Sequence, residues 1–176
     1  SYDDVLPFFK KIENYQGEIT ELRSSKGPLK ISEVVDRNPI YDGLFKGAGE
    51  IGIPVNKDYN GDEQEGISYT QTTIFKGERM SAEVAYLRPI RSRKNLTIIT
   101  NSLVTKLLFD GKTCIGVKIK NKNKIKDFFA QNEVILSGGA INSPQILELS
   151  GIGNRSILEE KGITLVHELK GVGENL

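Results

Sequence analysis

The sequence predicts a mixed α/β fold that contains an antiparallel β-meander, and three features of the chain lead to that expectation. From Glu133 to Gly153 a short β-branched run, Val134-Ile-Leu136, meets the small residues Ser137-Gly-Gly-Ala140 and then a helix-forming stretch closed by Ser150-Gly151. Leu103 to Phe109, Thr113 to Lys120 and Ile125 to Ala130 are rich in β-formers and are separated by Asp110-Gly111 and Asn121-Lys-Asn123, which are hairpin residues. Short amphipathic helical stretches occupy much of the first half.

Taken in order, Asp3 and Asp4 open a helix whose apolar face is Val5, Leu6, Phe8, Phe9 and Ile12, with Lys10-Lys11 near its end and Pro7 expected in the first turn. Gly17 to Ser25 reads as a polar loop and Gly27 to Ser32 as a short strand. Asn38-Pro39 then starts a helix that Gly49 and Gly52 end. Asp58-Tyr-Asn-Gly61 is a turn, Gly66 to Phe75 is β-rich, and Ser81 to Leu87 is a short helix stopped by Pro89. Leu96 to Thr100 and Val134 to Leu136 are expected to be brief strands, and Ile163 to Leu169 a further one after a helix from Ile157 to Lys161. Asn142 or Ser143 is expected to cap a helix beginning at Pro144, where proline's missing N–H costs nothing.

Composition narrows the function classes. The 24 Lys and Arg residues nearly balance 23 Asp and Glu, so long-range charge gives no reason to expect a nucleic-acid partner. No apolar run is long enough to span a bilayer. Lysines cluster between Lys112 and Lys126, in a stretch whose default reading is a solvated strand face. Cys114 is the single cysteine, expected to pack as a small apolar residue. A strand, a glycine turn and a helix N-terminus can present N–H groups to a nucleotide; the same parts also serve simply to reverse a chain.

The run Ser137-Gly-Gly-Ala-Ile-Asn-Ser-Pro-Gln-Ile-Leu-Glu-Leu-Ser-Gly-Ile-Gly153 resembles the second signature of the glucose–methanol–choline (GMC) oxidoreductases, at Ser143-Pro144, Ile146-Leu147 and Ser150-Gly-Ile-Gly153. Tyr2 to Phe9, Gly27-Pro-Leu29, Asp58 to Gly61, Gly66 to Gln71, Ala85 to Pro89, Asn95-Leu96 and Gly171 to Leu176 also resemble the insect glucose dehydrogenase-like members. The resemblance implies an internal fragment of a flavoprotein that oxidises the CH–OH group of an alcohol or sugar. FAD would lie in a Rossmann-like domain, of which residues 91–176 with the meander are a portion, and residues 1–90 would belong mainly to a substrate-binding domain. It implies FAD contacts at Val104, through its backbone, and at Ser137, Gly138 and Ala140. It leaves the electron acceptor open, and insect-type members are often secreted.

Two parts of the family pattern are missing from this stretch. Gly171-Val-Gly173 is too short a match to be a dinucleotide fingerprint, and in the family the pyrophosphate is gripped by a strand–glycine–helix unit N-terminal to this region. The family's catalytic histidine lies C-terminal to it, and His167 matches no catalytic motif, so no catalytic residue is assigned here. The alternative is a noncatalytic or truncated relative that keeps the scaffold for binding. The 176-residue chain alone is expected to show no flavin absorbance and no turnover of alcohols with a dye; a stoichiometric yellow cofactor would overturn this expectation.

Overall fold

The computed structural model describes every residue except Asp36 and Leu176, so the last position of the Gly171-to-Leu176 resemblance lies outside the described residues. The chain forms two compact units, Ser1–Thr97 and Ile98–Leu176.

The first unit begins with α1 (Tyr2–Ile12), which has acids in its first turn and Lys10 and Lys11 in its last, as the helix dipole favours. Pro7 does not sit in the first turn as expected, because the helix already begins at Tyr2, so the missing N–H removes one bond of the ladder. α1 runs directly into β1 (Glu13–Tyr15), which pairs in parallel with β2 (Leu29–Glu33). Gly27 makes that turn possible: a Cβ there would meet the Ile12 carbonyl carbon at 2.2 Å. After α2 (Ile40–Glu50), Gly52 takes φ +84° and lets the Ile53 N–H return to the Ala48 carbonyl at 2.9 Å, a glycine-closed helix end.

The β-rich expectation for Gly66 to Phe75 is met only in pieces. β3 (Gln71–Thr72) pairs with the end of β2, and β4 (Ile74–Phe75) forms a small hairpin with β5 (Glu78–Arg79). The short helix expected over Ser81 to Leu87 is a π turn at Glu83–Leu87 followed by a 3₁₀ turn at Arg88–Ile90, with the Ser81 hydroxyl accepting the Val84 N–H at 3.3 Å.

At the centre of this unit lies a buried cation. Arg23, 3% exposed, bonds Glu13 through Nε at 3.0 Å and reaches Asp58 Oδ1 at 2.5 Å and Gln71 Oε1 at 3.1 Å through Nη1. Its guanidinium also lies 3.7 Å from the centre of the buried Tyr15 ring. One side chain thus ties β1, the Asp58 turn and β3 together. Gly17 to Ser25, read from sequence as a polar loop, therefore delivers the residue that organises the unit.

The second unit is built on the predicted meander, an antiparallel sheet of β6 (Leu103–Asp110), β7 (Thr113–Asn121) and β8 (Lys124–Phe129) in that order. Leu107 and Ile119 are buried on one face of it. The expected strands Leu96 to Thr100 and Val134 to Leu136 carry no ladder pairing, and Ile135 is exposed. A strand requires a neighbour to take its N–H and C=O groups, and no described strand pairs with these runs. Next come α3 (Gly139–Leu149), β9 (Ile152–Gly153), α4 (Arg155–Glu160), capped by Asn154, and β10 (His167–Glu168). Of the strand expected over Ile163 to Leu169, only β10 pairs, in parallel with β9.

Breaking the buried ion cluster leaves carboxylates without their cation. Arg23→Ala is expected to lower the unfolding free energy by about 3–5 kcal/mol in urea titrations. Burial raises the Asp58 carboxyl, but the bonds from Gln71 and the Asn60 N–H and the charge of Arg23 outweigh it and hold the group below its ordinary 3.8. A depressed carboxylate contributes stability above its unfolded value and loses it as the pH falls through the folded one. Stability should therefore drop below about pH 4 in the wild type, more steeply than in Arg23→Ala.

Candidate functional site

The residues the sequence singled out lie on two elements of the second unit. Val104 is half-buried on β6, paired with Ile119, and its side chain shares the sheet face of Leu107. β6 is an edge strand: β7 covers one side, and backbone groups on the other are free to meet something else. The Leu107 N–H on that free side is taken by the Ser150 hydroxyl at 2.8 Å.

Ser137, Gly138 and Ala140 form an exposed turn at the start of α3. The helix begins five residues earlier than expected, at Gly139, and Gly138 occupies the cap position. Neither Asn142 nor Ser143 is the cap. Instead the Ser143 hydroxyl reaches back and accepts the Gly138 N–H at 3.0 Å, and Pro144 lies inside the helix. Gly139 takes φ +87°, a conformation open to glycine that turns the chain into the helix, and the regular turns follow directly, ahead of Ser143. A Cβ added at Gly139 would meet nothing within 4 Å. The first N–H groups of α3, which have no partner inside a helix, thus open onto solvent past a rim of small residues. This arrangement can receive a polar or anionic group of a nucleotide.

The closing half of the signature has a structural task. Ser150 is 1% exposed; its hydroxyl donates to the Ile146 carbonyl at 2.5 Å while accepting from Leu107, so it fastens the end of α3 to β6. Gly151 has φ +89°, and a Cβ there would lie 2.3 Å from the Thr164 carbonyl oxygen. Its own carbonyl accepts the Val166 and His167 N–H groups at 2.8 and 3.1 Å. The structure therefore places Val104 and the Ser137–Ala140 turn on the two elements this junction joins, and no hydrogen bond links them directly among the described residues.

His167 is exposed in β10, and its ring makes no hydrogen bond among the described residues. Cys114 is half-buried in β7. In the first unit, sequence reasoning missed the Arg23 cluster and the cleft of about 450 Å³ beside it, bordered by Tyr15, Glu33, Arg37, Phe45, Asp58 and Tyr69. Burial, then the charges of Asp58 and Glu33, push the Tyr15 phenol above its ordinary 10.0, which keeps it a donor to Glu33. Phe45 stacks on Tyr69 at 4.8 Å, and the Arg37 guanidinium lies 4.4 Å from the centre of the Tyr69 ring. Gln71 does not border the cleft; it is spent on Arg23, Asp58 and Tyr15. Only the polarity of Tyr69 hinted at the cleft from sequence, since its walls come from segments far apart in the chain.

Comparison with known proteins matches all of residues 1–176 to the profile of the GMC oxidoreductase family. The chain is 41% identical to the mitochondrial choline dehydrogenase of Homo sapiens over 175 residues, which is 99% of this chain and 30% of that protein. It is 41% identical to the oxygen-dependent choline dehydrogenase of Photobacterium profundum, covering 100% of this chain and 31% of the relative. Among solved structures, an FAD-dependent oxidoreductase from Chaetomium thermophilum superposes with a TM-score of 0.92 at 30% identity, over 99% of this chain and 33% of the other. The chain thus spans about a third of the length of these relatives.

The junction makes a measurable demand. Ser150→Ala removes the acceptor of a buried N–H and is expected to cost about 1–3 kcal/mol. Amide exchange should localise the loss to Leu107 and the last turn of α3.

Proposed function

The chain belongs to the GMC oxidoreductase family, and from that premise we propose that it forms part of an FAD-dependent oxidoreductase that converts the hydroxyl of a small alcohol or sugar into a carbonyl. The observation that carries the reading is the open, small-residue entrance to α3, because it lies inside the family's signature and leaves helix N–H groups free for a dinucleotide. The Chaetomium relative is named for its FAD dependence and the two nearest in identity among those given above for oxidising choline, a small alcohol. The likeness to insect glucose dehydrogenases rests on sequence motifs and makes a sugar the other candidate substrate.

The residues present fit the cofactor. Ser137, Gly138 and Ala140 would hold it by close approach of backbone and by the N–H groups behind them, and Val104 would meet the base from the edge strand β6. FAD, when bound, supplies the acceptor for the hydride leaving the hydroxyl-bearing carbon. Ser143 keeps the Gly138 N–H engaged and so holds the turn in shape, while Ser150 keeps the helix against β6. Residues 91–176 make up a portion of the FAD-binding domain in this reading, and residues 1–90 lie mainly on the substrate side, where the aromatic and charged cleft offers both contact types a small polar molecule needs. No proton-transfer role falls to His167, which faces solvent away from any partner.

The test separates cofactor binding from folding. Ser137→Glu in the full-length protein places a carboxylate beside a helix N-terminus, where it is neutral or favourable for stability but repels an anionic dinucleotide. Flavin content after purification is expected to fall about tenfold, while the flavin-free forms of variant and wild type melt at the same temperature. Full flavin occupancy in the variant would remove the turn from the site.

A further inference from the structure

We propose that the outward face of the β6–β8 meander is a docking surface for an anionic lipid bilayer. The register of the sheet decides which side chains share that face. Leu103, Lys120 and Ile125 stand in one cross-strand row, and Lys106, Lys118 and Asp127 in the next row on the same side. The intervening row, Val104, Ile119 and Lys126, points to the opposite, packed face. Leu103 and Ile125 are 67% and 68% exposed, and Phe129, two residues along β8 from Asp127 and on the same side, is 69% exposed.

Three properties select the occupant. Lysines are almost never fully buried unless paired, and on this face Lys106 and Lys120 are exposed and Lys118 is half-exposed. In the two rows Asp127 is the single acid, and it is consumed by Lys118 at 2.7 Å, so Lys106 and Lys120 keep uncompensated charge; Lys122 in the adjoining hairpin turn adds to it. A second copy of the same face would meet like charge with like. What complements the face is negative.

The choice between a protein and a lipid surface follows from the type of cation. Every cation from residue 94 to residue 154 is lysine. Specific recognition of carboxylates in protein interfaces favours the planar, bidentate guanidinium of arginine and is depleted in lysine. A layer of mobile lipid head groups needs no fixed geometry, and clustered lysines with neighbouring aliphatic and aromatic side chains are the chemistry that binds it. The lysines provide attraction at a distance, and Leu103, Ile125 and Phe129 provide apolar area once contact is made. No helix among the described residues is long and apolar enough to cross a membrane.

This surface does not use the flavin site, so vesicle binding and flavin content can fail separately. The experiment is co-sedimentation of the full-length protein with phosphatidylcholine vesicles, with and without phosphatidylserine. Binding is expected only when phosphatidylserine is present, and it should collapse between about 0.1 M and about 1 M salt as the Debye length contracts from about 10 Å to about 3 Å. The double variant Lys106→Gln/Lys120→Gln should weaken it about tenfold or more, and Ile125→Ser/Phe129→Ser should weaken it at low salt as well, both with normal flavin content. A charge-reversed pair, Lys120→Glu/Lys122→Glu, repeats the test on exposed positions alone. Equal binding to neutral vesicles, no binding to either kind, binding indifferent to all three variants, or preference for soluble polyglutamate over phosphatidylserine vesicles would each overturn the proposal.

Discussion

A polar group taken out of water must find a partner, and both units are arranged around that constraint. In the first unit the burdened group is the Arg23 guanidinium, which draws in Glu13, Asp58 and Gln71 and lies against Tyr15. In the second it is the Leu107 N–H on the free edge of β6, which Ser150 satisfies. The elements themselves are short, several of them two residues long, and so gain little from regular ladders. Much of their placement comes from these few buried contacts.

The signature stretch gains a physical explanation from the same constraint. Its serines and glycines do not all face a ligand. Ser143 supports the turn from behind, Ser150 bolts the helix to the sheet, and Gly151 lets the chain pass close to Thr164. The residues around the helix start, Ser137 to Asn142, stay open to solvent. A motif that identifies a family can thus be largely scaffold.

The exposed apolar side chains differ in meaning from place to place. On α1, Phe8 and Phe9 are exposed at 67% and 61% with lysines beyond them at the helix end, which by itself says nothing of a partner. On the meander, comparable exposure coincides with a cross-strand pattern of lysines on a single face, and this combination is what gives the surface a chemical preference.

The sequence by itself determined what depends on neighbours along the chain. Hairpin residues at Asp110-Gly111 and Asn121 to Asn123 set the meander almost to the residue, Ser150-Gly151 marked the end of α3, and the order of motifs located the family. Periodicity and turn chemistry are local properties, and they survive translation into structure. The tertiary structure decided the rest, because pairing and burial join residues that are far apart. Val134 to Leu136 has the composition of a strand and pairs with no described strand, and α3 starts at Gly139, ahead of the serine, after a turn that glycine's positive φ permits. Arg23 in a polar loop became the most buried cation of its unit because Glu13 and Asp58 converge on it, and nothing in the spacing of 10 and 35 residues announces such a meeting.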